Sequence, residues 1–481
     1  MGDIRVTHGR ADVPGDSVGP HTFTLSNTID PDKSILMVTN NRYQSGGPTA
    51  STANQTIAQM SALASLPGTD DEVNFIHAGT GAAGSLYRTD YSIVEYIGPV
   101  GGDNEFKILD VVLATLAVGE TSKEFSVDDA FGADLNDVVP FITSCGAEGG
   151  QRANEAEVIV TAIDVGGSIN IRVERGASNE AMNVQVTVVG FTGSNWTVRH
   201  GRLNTDGDTG NISLREAADG LTGAVNGISD WANAFIVHSH FGDNTNVAIE
   251  DTSAIYYPQG FTTTPVLTAV QFLYSTGHLT SGASHMVHVV EHADMDVSIF
   301  SDTTSHTGAQ NVDITAAGLT DLEQAFPIVS RYSSGGGTAY GRGWVNARLT
   351  SLTNLELWVH RNGNTIFTVM QTVDFSGIET PFTCDVDATL PSITSDAIAR
   401  LRNGGALSVI LPIIGASVVA GEVFRTQADL TLPSIGASAV AAIMSGVAAV
   451  VDITLPFIGV TALAGLSSNA LIDVTLPLVE T

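Results

Sequence analysis

Apolar residues along this chain recur in short runs, broken by polar or Gly-rich bends. Where the pattern is clearest, Ile169, Ile171 and Val173 alternate with Asn170, Arg172 and Glu174, the period of a half-buried antiparallel strand. Helical spacing is confined to three stretches. Ala53–Leu66 carries Ile57, Met60, Leu63 and Ala64 on one helical face and is stopped by Pro67 and Gly68. Part of Leu214–Ala234 and the segment Asp396–Arg402, ahead of Asn403-Gly404, are the other two. The remainder predicts strands, turns and loops.

Two kinds of repeat organise these strands. Over residues 1–377 a diverged unit recurs four times. Its first landmark is an apolar strand followed by a bend: Ser34–Asn40, Val139–Cys145, Ala234–Ser239 and Ala325–Ser330. Its second is a β-rich closing strand: Ser92–Gly98, Val186–Gly193, Met286–His292 and Met370–Gly377. Between the landmarks, VIVTAIDVGGSINIRVERG in the second unit resembles VNARLTSLTNLELWVHRNG in the fourth. The predicted fold class is mainly all-β, with tandem antiparallel β-sandwich-like modules of ~100 residues at 1–100, 101–194, 195–293 (the most diverged) and 294–377.

Residues 378–481 form a different array. Leu-Pro recurs at Leu390-Pro391, Leu411-Pro412, Leu432-Pro433, Leu455-Pro456 and Leu476-Pro477, with spacings of 21, 21, 23 and 21. The surrounding pattern is D-x-T-L-P, and Pro, which cannot donate to a ladder, marks a strand end or edge. A unit this short cannot bury its own apolar face, so neighbouring repeats or other chains must complete the core. The Leu-Pro array is therefore expected to oligomerise, with a trimer favoured.

Composition narrows the function. The chain has 481 residues, 51 Asp+Glu against 20 Lys+Arg and a formal charge of −31. Its lysines are Lys33, Lys107 and Lys123 alone, too few for the basic footprint that nucleic acid requires. No apolar run reaches the ~18–20 residues of a membrane helix, and the N-terminus lacks the apolar core of a signal peptide. Neither nucleic-acid binding nor membrane insertion is expected, and synthesis in a reducing cytoplasm is. Two cysteines, Cys145 and Cys384, cannot form a disulfide framework.

Candidate chemistry is sparse. His238 and His240 form an H-x-H pair on one face of a strand, and three chains meeting at an axis could offer six imidazoles to a transition metal. Ordinary hydrogen-bonded strand residues are the preferred reading, because the sequence places no carboxylate partner. Asn204–Asn211 has oxygen donors at alternate positions but departs from a calcium loop at Thr209 and Arg215, so a solvated turn is preferred. Gly15-Asp16-Ser17-Val18-Gly19 matches G-x-S-x-G without the strand and helix that a nucleophile elbow needs. Trp196, Trp231, Trp344 and Trp358 read as core or interface residues before sugar platforms. No catalytic or cofactor-binding residue is selected, no cofactor is called for, and an enzyme is not expected.

Tandem β modules without a signal peptide, followed by a C-terminal array of Leu-Pro strand repeats, resemble structural proteins of tailed-bacteriophage virions: fibres, spikes, and head or neck appendages. The resemblance implies synthesis in the host cytoplasm, homo-oligomers, contact with other virion proteins, and a host surface glycan or receptor as target. Head decoration and a bacterial adhesin or filament subunit are the alternatives, followed by a carbohydrate-active enzyme on a β scaffold.

Overall fold

The computed structural model describes residues 3–14, 19–38, 62–67, 71–77, 86–128, 133–147, 157–176, 178, 180–205, 209–216, 224–241, 254–260, 264–273, 283–304, 308–334, 345–359 and 365–378, and the strands between 386 and 475. Contacts divide the chain into two units, Met1–Glu379 and Thr380–Thr481.

Among the described residues the structure is mostly β, with one-turn 3-10 helices and no α-helix. In the first unit one strand order occurs four times. The first quarter comprises β1 (Ile4–Pro14), β2 (Pro20–Thr24), β3 (Ser34–Val38), β4 (Ala62–Ser65), β5 (Glu72–His77) and β6 (Leu86–Tyr96). The second comprises β7 (Lys107–Leu116), β8 (Ser122–Ser126), β9 (Val138–Ala147), β10 (Ile159–Val165), β11 (Ser168–Glu174) and β12 (Met182–Gly190). The third has β13 (Trp196–Thr205), β14 (Thr209–Ser213), β15 (Ala234–Phe241), β16 (Ile255–Pro258), β17 (Ala269–Leu273) and β18 (Ala283–His292). The fourth has β19 (Asp296–Thr304), β20 (Gly308–Asp313), β21 (Ala325–Ser334), β22 (Val345–Ser351), β23 (Asn354–Val359) and β24 (Thr365–Asp374). Every quarter makes two three-stranded antiparallel sheets, ordered first–sixth–third and second–fifth–fourth, around one shared hydrophobic cluster.

The same local signal starts the third strand each time. Asp30, Asp134, Asp230 and Asp321 each stand four residues before it, and each carboxylate accepts from the backbone N–H two residues on, at 3.1, 3.0, 3.0 and 2.8 Å. That contact caps a single 3-10 turn (Pro31–Lys33, Leu135–Asp137, Trp231–Asn233, Leu322–Gln324) and aims the chain into the sheet.

The sequence orders the modules along the chain without placing them against one another; in the structure the quarters close on one another. The cross-strand pairs Ile35/Val94, Val139/Val189, Phe235/Val290 and Phe326/Val373 occupy equivalent places in the four quarters and meet in one buried cluster. Ile4, Phe106, Trp196 and Met295, at or just before the four first strands, complete it. The fourth strand of each quarter packs on the next (β4 on β9, β10 on β18, β16 on β24), and β22 of the last packs on β6 of the first. Asp3 N–H donates to the Ile378 carbonyl at 3.1 Å, so the unit's two ends are tied together.

Two of the expected helices are overturned where described. Ala62–Ser65, the end of Ala53–Leu66, is β4 and pairs with β5; residues 53–61 lie outside the described residues. Leu63 and Ala64 match helical spacing, but in the strand Ala64 is buried in the core of the first quarter and its N–H reaches Ser144 on β9. Asp396–Arg400 is a strand, β26, because parallel pairing with the next repeat outweighs its weak helical propensity. In Leu214–Ala234 the described helix is the single turn Trp231–Asn233.

The second unit pairs its strands in parallel. β25 (Val386–Thr389), β27 (Gly405–Ile410), β29 (Thr426–Thr431), β31 (Ala449–Thr454) and β33 (Ala470–Thr475) form one sheet. β26 (Asp396–Arg400), β28 (Ser417–Gly421), β30 (Ser438–Ile443) and β32 (Thr461–Leu466) form the other. Partners lie one repeat apart, as in Leu407 with Ala428 and Ala449 with Ala470, so these ladders close within a single chain. The strands of the first sheet end on the residue before each Leu-Pro. Leu390, Pro391, Leu411, Pro412, Leu432, Pro433, Leu455, Pro456, Leu476 and Pro477 themselves lie outside the described residues.

Candidate functional site: histidines at the seams

The four seams share one framework and differ in chemistry. Between the first and second quarters, Ala64 N–H donates to Ser144 Oγ at 2.8 Å. The equivalent bond between the third and fourth runs from Tyr256 N–H to Ser330 Oγ at 3.1 Å. There the Gln371 amide also accepts from Ile236 N–H (2.8 Å) and donates to its carbonyl (3.1 Å), covering the open edge of β15. The seam from the fourth quarter back to the first is charged: Arg10 bonds Asp90 (2.7 Å) and Glu356 (2.8 Å), while Arg88 lies 4.6 Å over the Trp358 ring.

Histidines bridge several of these seams. His8 and His200 hold the same position on β1 and β13, four residues after Ile4 and Trp196. His8 Nε2 lies 3.0 Å from the Leu322 carbonyl, and His200 Nε2 lies 2.8 Å from the Asn136 carbonyl. Because a carbonyl can only accept, both rings carry their proton on Nε2. His200 Nδ1 meets His288 Nδ1 at 2.8 Å. Burial lowers the His8 pKa, and it pushes His200 down to about 4 against the partly offsetting Asn136 carbonyl. His288 falls well below its ordinary value through burial and then the neighbouring His200.

The H-x-H pair sits beside them. The His238 ring lies flat on Tyr256, with centroids 4.3 Å apart, and its pKa is pushed down to about 3 by burial and then by His240. His240 Nε2 is 3.8 Å from Glu157 of the second quarter, and its ring stacks toward His285 at 6.1 Å. His285 in turn contacts Tyr256 Oη through Nδ1 at 2.9 Å and lies against Phe272. Among the described residues no group of three or more His, Cys, Asp or Glu is arranged to hold a metal ion. His238 and His240 thus come together with aromatic rings and one carboxylate, and burial keeps the His238 imidazole uncharged at neutral pH.

A polar hub joins the quarters. Asn104 donates to Asp3 Oδ2 (2.9 Å) and accepts from Asn195 (2.7 Å) and His292 Nε2 (2.9 Å), while its backbone carbonyl takes the Trp196 indole N–H (3.0 Å). Trp196 and Trp231 are core residues, Trp358 is an interface residue, and Trp344 lies outside the described residues. Residues 206–208 of the oxygen-rich loop and 15–18 of the G-x-S-x-G string also lie outside them. His8, His200 and Asn104 were not singled out by sequence; aligning the four first strands would have exposed the two histidines. No helix among the described residues is long and apolar enough to cross a membrane. No protein-family model matches the chain, and no curated protein matches it.

Proposed function

We propose that the chain is a structural component of a tailed-phage virion, an oligomeric surface appendage whose β-sandwich modules serve assembly and attachment. The observation that carries this reading is the common core of the first unit. Four copies of one strand order converge on a single apolar cluster, and a polar hub at Asn104 ties three of them together, an arrangement spent on holding a shape. Polar side chains bridge its seams, as expected where satisfied buried polar groups fix one packing.

The closed arrangement favours a compact appendage or head-decoration element over a string of spacers in a fibre shaft. The Leu-Pro array, an independent unit of parallel strands with a repeat of 21 to 23 residues, is the proposed oligomerisation element, and a homotrimer is the proposed assembly. Light scattering tests this part. The intact chain should run at three times 50.0 kDa, and a chain ending at Glu379 should run as a soluble monomer. The same oligomer from the shortened chain would remove the array from this role.

A further inference from the structure

We propose that the seam between the second and third quarters is an acid-released joint, held shut by the single proton shared between His200 and His288. The argument begins with tautomers. The Asn136 carbonyl fixes the His200 proton on Nε2, so in the neutral ring Nδ1 is a bare acceptor. His288 Nδ1, 2.8 Å away, must then be the donor. One N–H fits between the two nitrogens and two do not. A proton arriving on His200 Nδ1 sets N–H against N–H, and one arriving on His288 Nε2 makes a buried cation.

Both residues belong to the joint. His200 on β13 reaches the 3-10 turn of the second quarter, and His288 on β18 faces the Val160 backbone on β10, which favours a proton on that ring and offsets part of the cost of burial. At the equivalent cross-strand position the other quarters have His8 with Ser92, Asp110 with Val188, and Ile299 with Gln371. The imidazole pair therefore distinguishes one seam from three built on the same framework.

The surrounding charges do not neutralise a cation there. Arg199 acts against protonation of His200, and Arg215 is joined to His200 through the backbone. From the second quarter, Asp137 and Asp134 lie on the capped turn, where Asp137 feels Arg199, and Glu174 is engaged by Arg202 at 2.5 Å. Glu157 is engaged by His240, and His238, His240 and His285 are themselves basic groups of the third quarter. The Glu157–His240 contact crosses the same seam and opposes release; among the described residues no carboxylate is hydrogen-bonded to the pair at its centre.

The inference is independent of the proposed virion role and is tested on the full chain. Hydrogen exchange of β10 and β13, corrected for the intrinsic pH dependence of exchange, should show at least a roughly tenfold loss of protection between pH 6 and pH 4, while β7 and β12 keep theirs. A His288→Gln chain, whose amide can turn to accept from a protonated His200, should keep its protection over that range. Equal loss in the two chains, or none in the native one, would overturn the proposal. Should the variant fail to fold, imidazole nitrogen resonances of the native chain at neutral pH decide. His200 protonated on Nε2 and His288 on Nδ1 is the expected result, and the same tautomer in both rings would overturn it.

Discussion

His292 donates from Nε2 to Asn104 Oδ1 at 2.9 Å, across 188 residues of sequence. The direction of that bond is fixed from the other side, because Asp294 N–H already donates to His292 Nδ1 at 3.1 Å. Asn104 thereby collects Asp3, Asn195 and His292, from the chain start and two separate junctions between quarters, onto one amide. Replacing Asn104 with Ala would take the acceptor from the buried His292 Nε2, at about 1–3 kcal/mol for an orphaned buried group. Urea denaturation of the Asn104→Ala chain should show a loss of at least that size, and an unchanged midpoint would mean that the hub is not holding the quarters together.

Two glycines at the junctions are required by close approach. A Cβ on Gly193 would stand 2.2 Å from the Asp103 carbonyl oxygen, and one on Gly377 would stand 2.1 Å from that of Asp294. Both neighbours are backbone and cannot swing aside. Gly193→Ala and Gly377→Ala should each cost about 1–3 kcal/mol through forced displacement, read as a lowered melting temperature. Gly119, at φ +89° with open space around it, would suffer from backbone strain instead and should leave the junctions intact.

The capped turns should behave alike. Asp134→Ala or Asp321→Ala removes one side-chain acceptor from an exposed turn, an expected loss of about 1 kcal/mol. Asn at either position keeps the acceptor and should restore most of the stability. Equal losses from Ala and Asn would show that the carboxylate acts by charge and not by capping.

The seam histidines give stability a pH dependence whose sign follows from their lowered pKa values. Between about 4 and 6.5 the unfolded chain binds a proton at residue 200 that the folded chain refuses, so stability present above pH 6.5 falls as the pH drops. Full titration of His200 corresponds to about 3 kcal/mol. The stability difference between the native chain and His200→Gln, measured by urea at several pH values, should therefore shrink toward acid by an amount of this order. A constant difference would contradict the burial argument.

The second unit carries a register prediction. Asp387, Ser408, Asp429, Asp452 and Asp473 occupy one column across its parallel strands. Parallel pairing fixes this column, so one residue inserted between Val450 and Asp452 would throw it out of register and should lower the melting temperature of this unit. Thermal melting followed by circular dichroism measures it, and an unchanged transition would contradict the pairing.

Much of the β pattern was legible because each landmark strand does the same physical task in every quarter. Ile35, Val139, Phe235 and Phe326 must all be large and apolar to reach the common core, so the repeat survives divergence there. β11 alternates visibly because one of its faces is buried, with Ile169, Ile171 and Val173 in the cluster of the second quarter. Ala62–Ser65 reads as a helix end because Leu63 and Ala64 continue the spacing of Ile57 and Met60, and only pairing with β5 decides. The seams were illegible in a different way. Ser144, Gln371, His200 and Arg10 do equivalent work with unrelated side chains, and their partners lie far along the chain. Sequence patterning reports burial, and closure of the four quarters is decided by those long-range pairs.

The most direct test of the proposed virion role is the protein composition of purified phage particles from a lysate in which this chain is produced. Quantitative mass spectrometry and antibody labelling under the electron microscope should find the chain in fixed copy number per particle, on an outer surface, resistant to a salt wash. Recovery of the chain solely in the soluble fraction, with intact particles free of it, would contradict the account.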